Sequence, residues 1–145
     1  MRVVVGCDHG GLNLKRTLVQ HLHDQGVHVE DVGTHDSQST DYPDHAVKVA
    51  QQVVDGAADW GLLVCGTGIG MSMAANKIRG IRAAVVSDVF SAEATRRHND
   101  ANVLCLGERV TGPGLACRIV DAFRTASFDG GRHARRVNKI RTLEG

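Results

Sequence analysis

Short apolar runs alternate with longer amphipathic segments along the whole chain. The runs are too short for helices and most are rich in β-branched residues, so they predict five β-strands, at residues 2–7, 27–32, 60–65, 81–87 and 103–106. Apolar residues at three- and four-residue spacing predict helices at residues 12–25, 44–55, 71–78, 91–98 and 115–126, with a last helix after residue 131. Strand and helix thus alternate from one end to the other.

Residue types with known end preferences set the predicted limits of these helices. Gly26 ends the first helix, Asp44 and Ser91 are the predicted N-caps of the second and fourth, and Pro113 suits a first turn. The alternation predicts an α/β fold of three layers, a five-stranded parallel sheet flanked by helices on both faces. No repeat, low-complexity stretch or linker divides residues 1–145, so we expect one domain.

Composition narrows the functional classes. The net charge of +1 argues against a nucleic-acid protein driven by bulk charge. The apolar N-terminal run is too short for a signal peptide, and no stretch reaches the roughly 20 apolar residues of a membrane span, so we expect a cytoplasmic protein without a membrane partner. None of the four cysteines forms a C-x-x-C pair, which predicts free thiols rather than a zinc knuckle or a redox motif.

The segment LLVCGTGIGMSMAANK carries the strongest chemical signal. A buried strand reaches Cys65, and glycines follow at Gly66, Gly68 and Gly70 before a helix. Such a turn presents backbone N–H groups and a helix N-terminus to a negatively charged oxygen, and the same field favours a thiolate at Cys65. Cys65 is therefore either a nucleophile or base, or a small buried core residue.

Other ligand classes fit this turn less well. Gly66 and Gly68 match the first two glycines of a dinucleotide motif, with Asp88 as the acidic ribose ligand, but Met71 occupies the third glycine position. No Gly-Lys-Ser/Thr follows, which excludes a P-loop. No histidine pair has metal-ligand spacing, so we expect no metal, and we expect His28, His35 and His45 to be solvated.

Further candidate site residues lie directly after the other strands and near the end of the chain. Ligands of open α/β sheets bind at the carboxyl ends of the strands, where Asp8 and His9, Ser87 and Asp88, and residues 107–109 are expected. In GGRHARRVNKIR, Arg132 and Arg136 share one helix face. This pair is either a solvated basic face or a clamp for a phosphate group.

Five motifs together resemble one family: GCDHGG, TDYPD, CGTGIGMSMAANK, RHNDANVLCLGER and GGRHARRV. In this order they resemble the type B ribose-5-phosphate isomerases and the related galactose-6-phosphate isomerase subunits. The resemblance implies a Rossmann-like sheet and a homodimer, or a dimer of dimers, with active sites at the subunit interface. It implies that ribose 5-phosphate and ribulose 5-phosphate are interconverted without a metal or cofactor. A four- or six-carbon sugar phosphate is the alternative substrate, and a nucleotide- or anion-binding regulatory module is the alternative from another class.

Residue roles follow from the same resemblance. Cys65 is similar to the base that moves a proton between C2 and C1, with Thr67 nearby, and His98 to the acid that opens the furanose ring. One branch of the family has a glutamate base at the place of Met71, so this chain resembles the cysteine branch. The implied substrate-binding residues are Asp8, His9, Tyr42, Gly66, Thr67, Gly68, Ile69, Gly70, Asn99, Arg109, Arg132 and Arg136.

Overall fold

A computed structural model describes residues 1–145. Five parallel strands form one sheet in the order β2-β1-β3-β5-β4. The strands are β1 (Arg2–Cys7), β2 (His28–Asp31), β3 (Trp60–Cys65), β4 (Ala83–Val85) and β5 (Val103–Gly107). The helices are α1 (Leu12–Asp24), α2 (Tyr42–Val54), α3 (Ile69–Ala75), α4 (Val89–Asn99), α5 (Pro113–Thr125) and α6 (Arg132–Thr142), and a short 3₁₀ turn covers His9–Gly11. The predicted five-stranded parallel sheet is confirmed.

Side chains of successive strand residues enter two separate cores, one on each face of the sheet. Val3 and Val5 join the larger cluster, which contains side chains of α1, α4 and α5, whereas Val4 joins the cluster that contains side chains of α2 and α3. This alternation is the two-residue period of a strand that is buried on both faces. The three predicted layers are therefore confirmed.

The burial of each strand matches its position in the sheet. β3 and β5 are buried at every residue, and both lie in the interior of the sheet. In β2 exposed residues alternate with half-buried ones, and β4 has half-buried and exposed residues only. Both are edge strands. Edge strands bury fewer side chains, so their ends are less well defined in the sequence, and both are shorter than the predicted 27–32 and 81–87.

Two predicted N-caps are wrong. α2 begins at Tyr42 with Asp41 as its N-cap, and Asp44 lies inside the first turn. α4 begins after Asp88, whose Oδ1 accepts a hydrogen bond from the backbone N–H of Ser91 at 2.7 Å. Both segments carry two polar residues three positions apart, and the first of each pair occupies the N-cap position, although only Asp88 accepts a side-chain cap bond.

The helix after the glycine turn also differs from the prediction. It covers Ile69–Ala75 instead of residues 71–78, and it begins directly after Gly68. None of the helices combines the length and apolarity needed to cross a membrane.

Candidate active site

Cys65 is the last residue of β3, and the glycine turn folds back over its sulfur. The thiol is almost completely buried, with 6% of the residue exposed. Gly68 adopts a positive φ of 79°, which directs its backbone N–H to Cys65 Sγ at 3.1 Å. An N–H donor aimed at sulfur stabilises a thiolate. The Gly68 N–H is the one backbone donor that this sulfur accepts from.

Two of the turn's N–H groups are used by its own side chains. Gly68 donates to Cys65, and Ile69 donates to Thr67 Oγ1 at 3.2 Å. The N–H groups of residues 66, 67, 70 and 71 have no acceptor within the chain. Thr67 Oγ1 accepts this bond and donates none within the chain, so its hydroxyl proton is available to another acceptor. The turn thus offers free amide donors and one hydroxyl donor to an external oxygen.

Arg109 and Tyr42 lie against opposite ends of this turn. The backbone N–H of Arg109 donates to the Gly66 carbonyl at 3.1 Å, and its guanidinium is so close to Gly66 that a methyl group there would lie 3.4 Å from Arg109 Nη1. The Tyr42 ring packs on Gly70, where an added methyl group would lie 2.6 Å from Cε1. Glycine at both positions allows these side chains to approach the backbone.

A second turn lies beside the first, at the end of β1. The Asp8 carboxylate is buried and accepts a hydrogen bond from the Gly10 N–H at 2.9 Å. A methyl group on Gly10 would lie 3.3 Å from the Gly66 nitrogen, so the two turns are in contact. His9 is exposed, and its Nδ1 accepts a hydrogen bond from Thr40. Predicted residues of four segments therefore meet at one edge of the sheet.

The remaining predicted residues lie at the opposite edge. α4 starts at the carboxyl edge and runs antiparallel to the strands, so His98 and Asn99 at its end lie where the strands begin. Asn99 is held there because its carbonyl accepts from Arg82, which directly precedes β4. The six residues of β3 put roughly 17 Å between the two edges. His98 and Asn99 cannot reach the Cys65 turn of their own protomer.

Arg132 and Arg136 belong to this second group. The chain enters α6 beside the end of α4, since the Asp129 N–H donates to the Arg97 carbonyl at 2.9 Å. The far end of the chain binds near the start of β4, where Gly80 donates to Glu144. Both arginines are exposed on the first turns of α6. The structure therefore gathers the predicted site residues into two groups, one at each edge.

His133 and Asp129 join the second group, although neither is among the site residues predicted from the sequence. The rings of His98 and His133 stack at a centroid distance of 4.2 Å, tilted by only 8°. His98 Nε2 lies 3.8 Å from Asp129 Oδ2, while Arg97 pairs with both oxygens of that carboxylate. Burial and the positive neighbours lower the pKa of His133. The signal available in the sequence was the position of His133 between the two arginines.

These three side chains have the atom types of a metal site but are not arranged as one. The two ring nitrogens lie in parallel planes, and their in-plane lone pairs do not converge on a point between them. Arg97 neutralises the Asp129 carboxylate, and further arginines surround the cluster. The excess of positive charge suits an anion better than a divalent cation.

Two other predictions change with the structure. His45 is buried, not solvated, with 7% of the residue exposed, because it belongs to the inward face of the first turn of α2. Asp88 uses its carboxylate to cap α4, so the acidic residue of the nucleotide-binding alternative has a structural role.

Comparison with known proteins places this arrangement in a family. Residues 3–140 match the family model described as Ribose/Galactose Isomerase. The chain belongs to this family. Ribose-5-phosphate isomerase B of Escherichia coli K12 is 51% identical over 143 residues, which cover 99% of this chain and 96% of that protein. These relatives establish that the protein is an aldose–ketose isomerase.

Solved structures of the family agree with the fold. Ribose-5-phosphate isomerase B of Clostridium thermocellum has a TM-score of 0.98 and 53% identity, over 99% of this chain and 97% of that one. The Mycoplasma genitalium enzyme, solved with bound ribulose-5-phosphate, has a TM-score of 0.95 and 42% identity, over 99% and 95% of the two chains. The resemblance stated from the five motifs is confirmed.

Proposed function

We propose that this protein interconverts ribose 5-phosphate and ribulose 5-phosphate, with Cys65 as the base. The observation that carries the proposal is the Gly68 N–H aimed at Cys65 Sγ at 3.1 Å, inside a turn that keeps other amides free. The E. coli relative bears the name of this activity, and the M. genitalium structure contains its ketose.

The geometry supports proton transfer through an enediolate. A sugar C–H next to a carbonyl is a very weak acid, so its removal needs a base and strong stabilisation of the oxygen that becomes negative. The Cys65 thiolate removes the proton from C2 of the aldose, and the negative charge that forms rests on O1 of the enediolate. The proton of the O2 hydroxyl moves to O1, and as C2=O forms Cys65 returns its proton to C1, which gives the ketose. The free amides of the turn and the Thr67 hydroxyl stabilise the oxyanion. No metal is required, because N–H donors supply this stabilisation.

A second copy of the chain supplies the other half of the site. His98 opens the furanose ring as an acid, and Asn99, Arg132 and Arg136 bind the substrate, with the arginines on the phosphate. These four residues lie at the wrong edge of the sheet for the Cys65 turn of the same chain. A homodimer that joins the carboxyl edge of one protomer to the α4–α6 end of its partner completes the site.

Apolar side chains beside the Cys65 turn support this assembly. Ile69, Val85, Phe90 and Val110 are all exposed, and Phe90 exposes 79% of its surface. Ile69 and Val110 line a cavity that also contains Thr67. Such a patch next to a half-built site is typical of an interface between subunits.

Turnover of ribose 5-phosphate in the presence of EDTA tests the proposal. We expect activity in the wild type and a loss of at least about 1,000-fold in kcat for Cys65→Ala, because the base is removed. Cys117→Ala, on α5 and outside the site, is the matched control and should retain activity. Activity that survives in Cys65→Ala would exclude Cys65 as the base.

A wild type that does not turn over ribose 5-phosphate would point to another substrate. Four- and six-carbon sugar phosphates would then be assayed in the same way. A purely anion-binding module would bind these compounds without turnover, and its affinity would survive Cys65→Ala.

A further inference from the structure

The Thr40–His9 hydrogen bond defines where His9 carries its proton. The backbone N–H of Thr40 donates to His9 Nδ1 at 3.2 Å. A ring nitrogen accepts a hydrogen bond only when it has no proton. A neutral His9 must therefore carry its proton on Nε2, and that nitrogen has no partner within the chain. The exposed edge of the ring is thus an N–H donor.

Thr40 is itself held by a buried histidine. Thr40 Oγ1 lies 3.1 Å from Nε2 of His45, which is almost fully buried in the first turn of α2. The same turn begins with Tyr42, whose ring packs on Gly70 of the Cys65 turn. The position of the Thr40 N–H is therefore coupled to the helix that borders the site.

The backbone of His9 is fixed from the other side. Asp8 caps the short turn His9–Gly11 through its bond to the Gly10 N–H, and that turn touches Gly66. Backbone contacts alone leave the His9 ring free to rotate, because the residue is exposed. The bond from Thr40, 31 residues along the chain, is the contact that orients the ring.

We propose that Thr40 and His45 are positioning residues that hold His9 as a neutral Nε2–H donor directed at an oxygen of the substrate. In this role His9 binds a phosphate or hydroxyl oxygen and does not remove protons. Proton abstraction at this edge is then left to Cys65. The inference rests on the proposed function for the identity of the substrate, but the state of the His9 ring does not depend on it.

Nitrogen NMR of the full-length protein, labelled with ¹⁵N-histidine and free of substrate, tests the ring state. The His9 resonances are assigned by their loss in His9→Gln. We expect Nδ1 without a proton and Nε2 with one, and a mixture of tautomers in Thr40→Val, which keeps the backbone N–H but loses the hydroxyl held by His45. A wild-type His9 protonated on Nδ1, or one that does not respond to Thr40→Val, would overturn the proposal.

Steady-state kinetics with ribose 5-phosphate tests the positioning role. Thr40→Val and His45→Phe each remove the hydrogen bond between Thr40 Oγ1 and His45 that holds the Thr40 N–H in place. Each should raise KM about tenfold, which is about 1.4 kcal/mol, with kcat changed less than about threefold. Thr40→Ser keeps the hydroxyl and should restore the wild-type KM. A fall in kcat without a rise in KM, or equal values in Thr40→Val and Thr40→Ser, would contradict the positioning role.

The two measurements separate this inference from the proposed function. If the wild type does not turn over ribose 5-phosphate, the proposed function fails, and the NMR signature still decides the state of His9. If turnover is normal and the signature is absent, the inference alone fails.

Discussion

Among the four thiols of the chain, only Cys65 accepts a hydrogen bond from a backbone N–H. Burial raises the pKa of Cys7 to about 11, and its thiol donates a hydrogen bond to the Thr34 carbonyl at 3.7 Å. Burial also raises the pKa of Cys105, which is completely enclosed, and that of Cys117. All four residues are small and apolar in sequence. The difference between them comes from one N–H group, which only the folded turn can direct.

His45 gives the molecule a dependence on pH at the scale of a single residue. Burial, followed by the nearby Lys48, lowers the pKa of His45, and Lys15 acts in the same direction, whereas Asp8 and Asp44 oppose this effect. The unfolded chain therefore binds a proton at this histidine at a higher pH than the folded chain does. Stability falls as the pH decreases through about 6.5, the unfolded value, towards the lower folded value.

Thermal unfolding at pH 7.5 and pH 5.5 checks this prediction. We expect the wild type to lose more stability than His45→Phe between the two values, because the variant has no proton to accept at this position. His23→Phe, an exposed position on α1, controls for the loss of a histidine. An equal loss of stability in the wild type and His45→Phe would contradict the prediction.

At the scale of elements, the sequence predicts strands better than helix ends. The central strands β1 and β3 begin and end where their apolar runs do, because burial on both faces demands apolar residues at every position. The N-caps of α2 and α4 are set by where the backbone becomes helical, and only the Asp88 side chain accepts a hydrogen bond from its helix, whereas that of Asp41 accepts none. At α4 the sequence favours Ser91, but the Asp88 carboxylate is the stronger acceptor and takes the bond from the Ser91 backbone.

Contacts between side chains of distant segments could also not be predicted from the sequence. His9 was recognised as a candidate because it follows a strand, but its partner Thr40 lies in a polar loop without periodicity. His133 belongs to the motif GGRHARRV, yet its stacking on His98 depends on how α6 packs beside α4. The sequence thus predicts which residues end at an edge of the sheet, whereas the fold decides which of them touch.

The turn between β3 and α3 makes a prediction at the same scale. Gly68 has a φ of 79°, and an added methyl group would lie 2.9 Å from the Leu106 carbonyl carbon. Gly68→Ala should lower the melting temperature by about 5–10 °C, since strain and crowding together cost about 2 kcal/mol. It should also reduce kcat at least about tenfold, because the N–H that faces Cys65 moves.

Gly114→Ala is the matched control, because an added methyl group there meets no atom within 4 Å. Gly114 lies in α5, where alanine is favoured, so we expect an unchanged or slightly higher melting temperature and normal activity. Circular dichroism melts and turnover of ribose 5-phosphate measure both quantities. A Gly68→Ala protein as stable and active as Gly114→Ala would show that the turn does not require this conformation.

At the scale of the whole molecule, the two edges of the sheet carry the two groups of predicted site residues. The Cys65 turn holds the proposed base and oxyanion donors, whereas the end of α4 and the start of α6 hold the predicted histidine and arginines. Parallel topology enforces this separation, because each helix returns the chain to the edge from which the preceding strand started. Under the proposed function, one protomer is incomplete as a catalyst, and two protomers joined end to edge are expected to complete the site.

Mixing two inactive variants measures this assembly most directly. Cys65→Ala and Arg132→Ala are each expected to be inactive; they are unfolded, combined in equal amounts and refolded together. Half of the dimers are then mixed, and each has one site with an intact Cys65 and an intact Arg132, so we predict about a quarter of the wild-type turnover of ribose 5-phosphate. The same variants refolded separately and then pooled are the control. A co-refolded mixture as inactive as that control would contradict an active site shared between two copies of the chain.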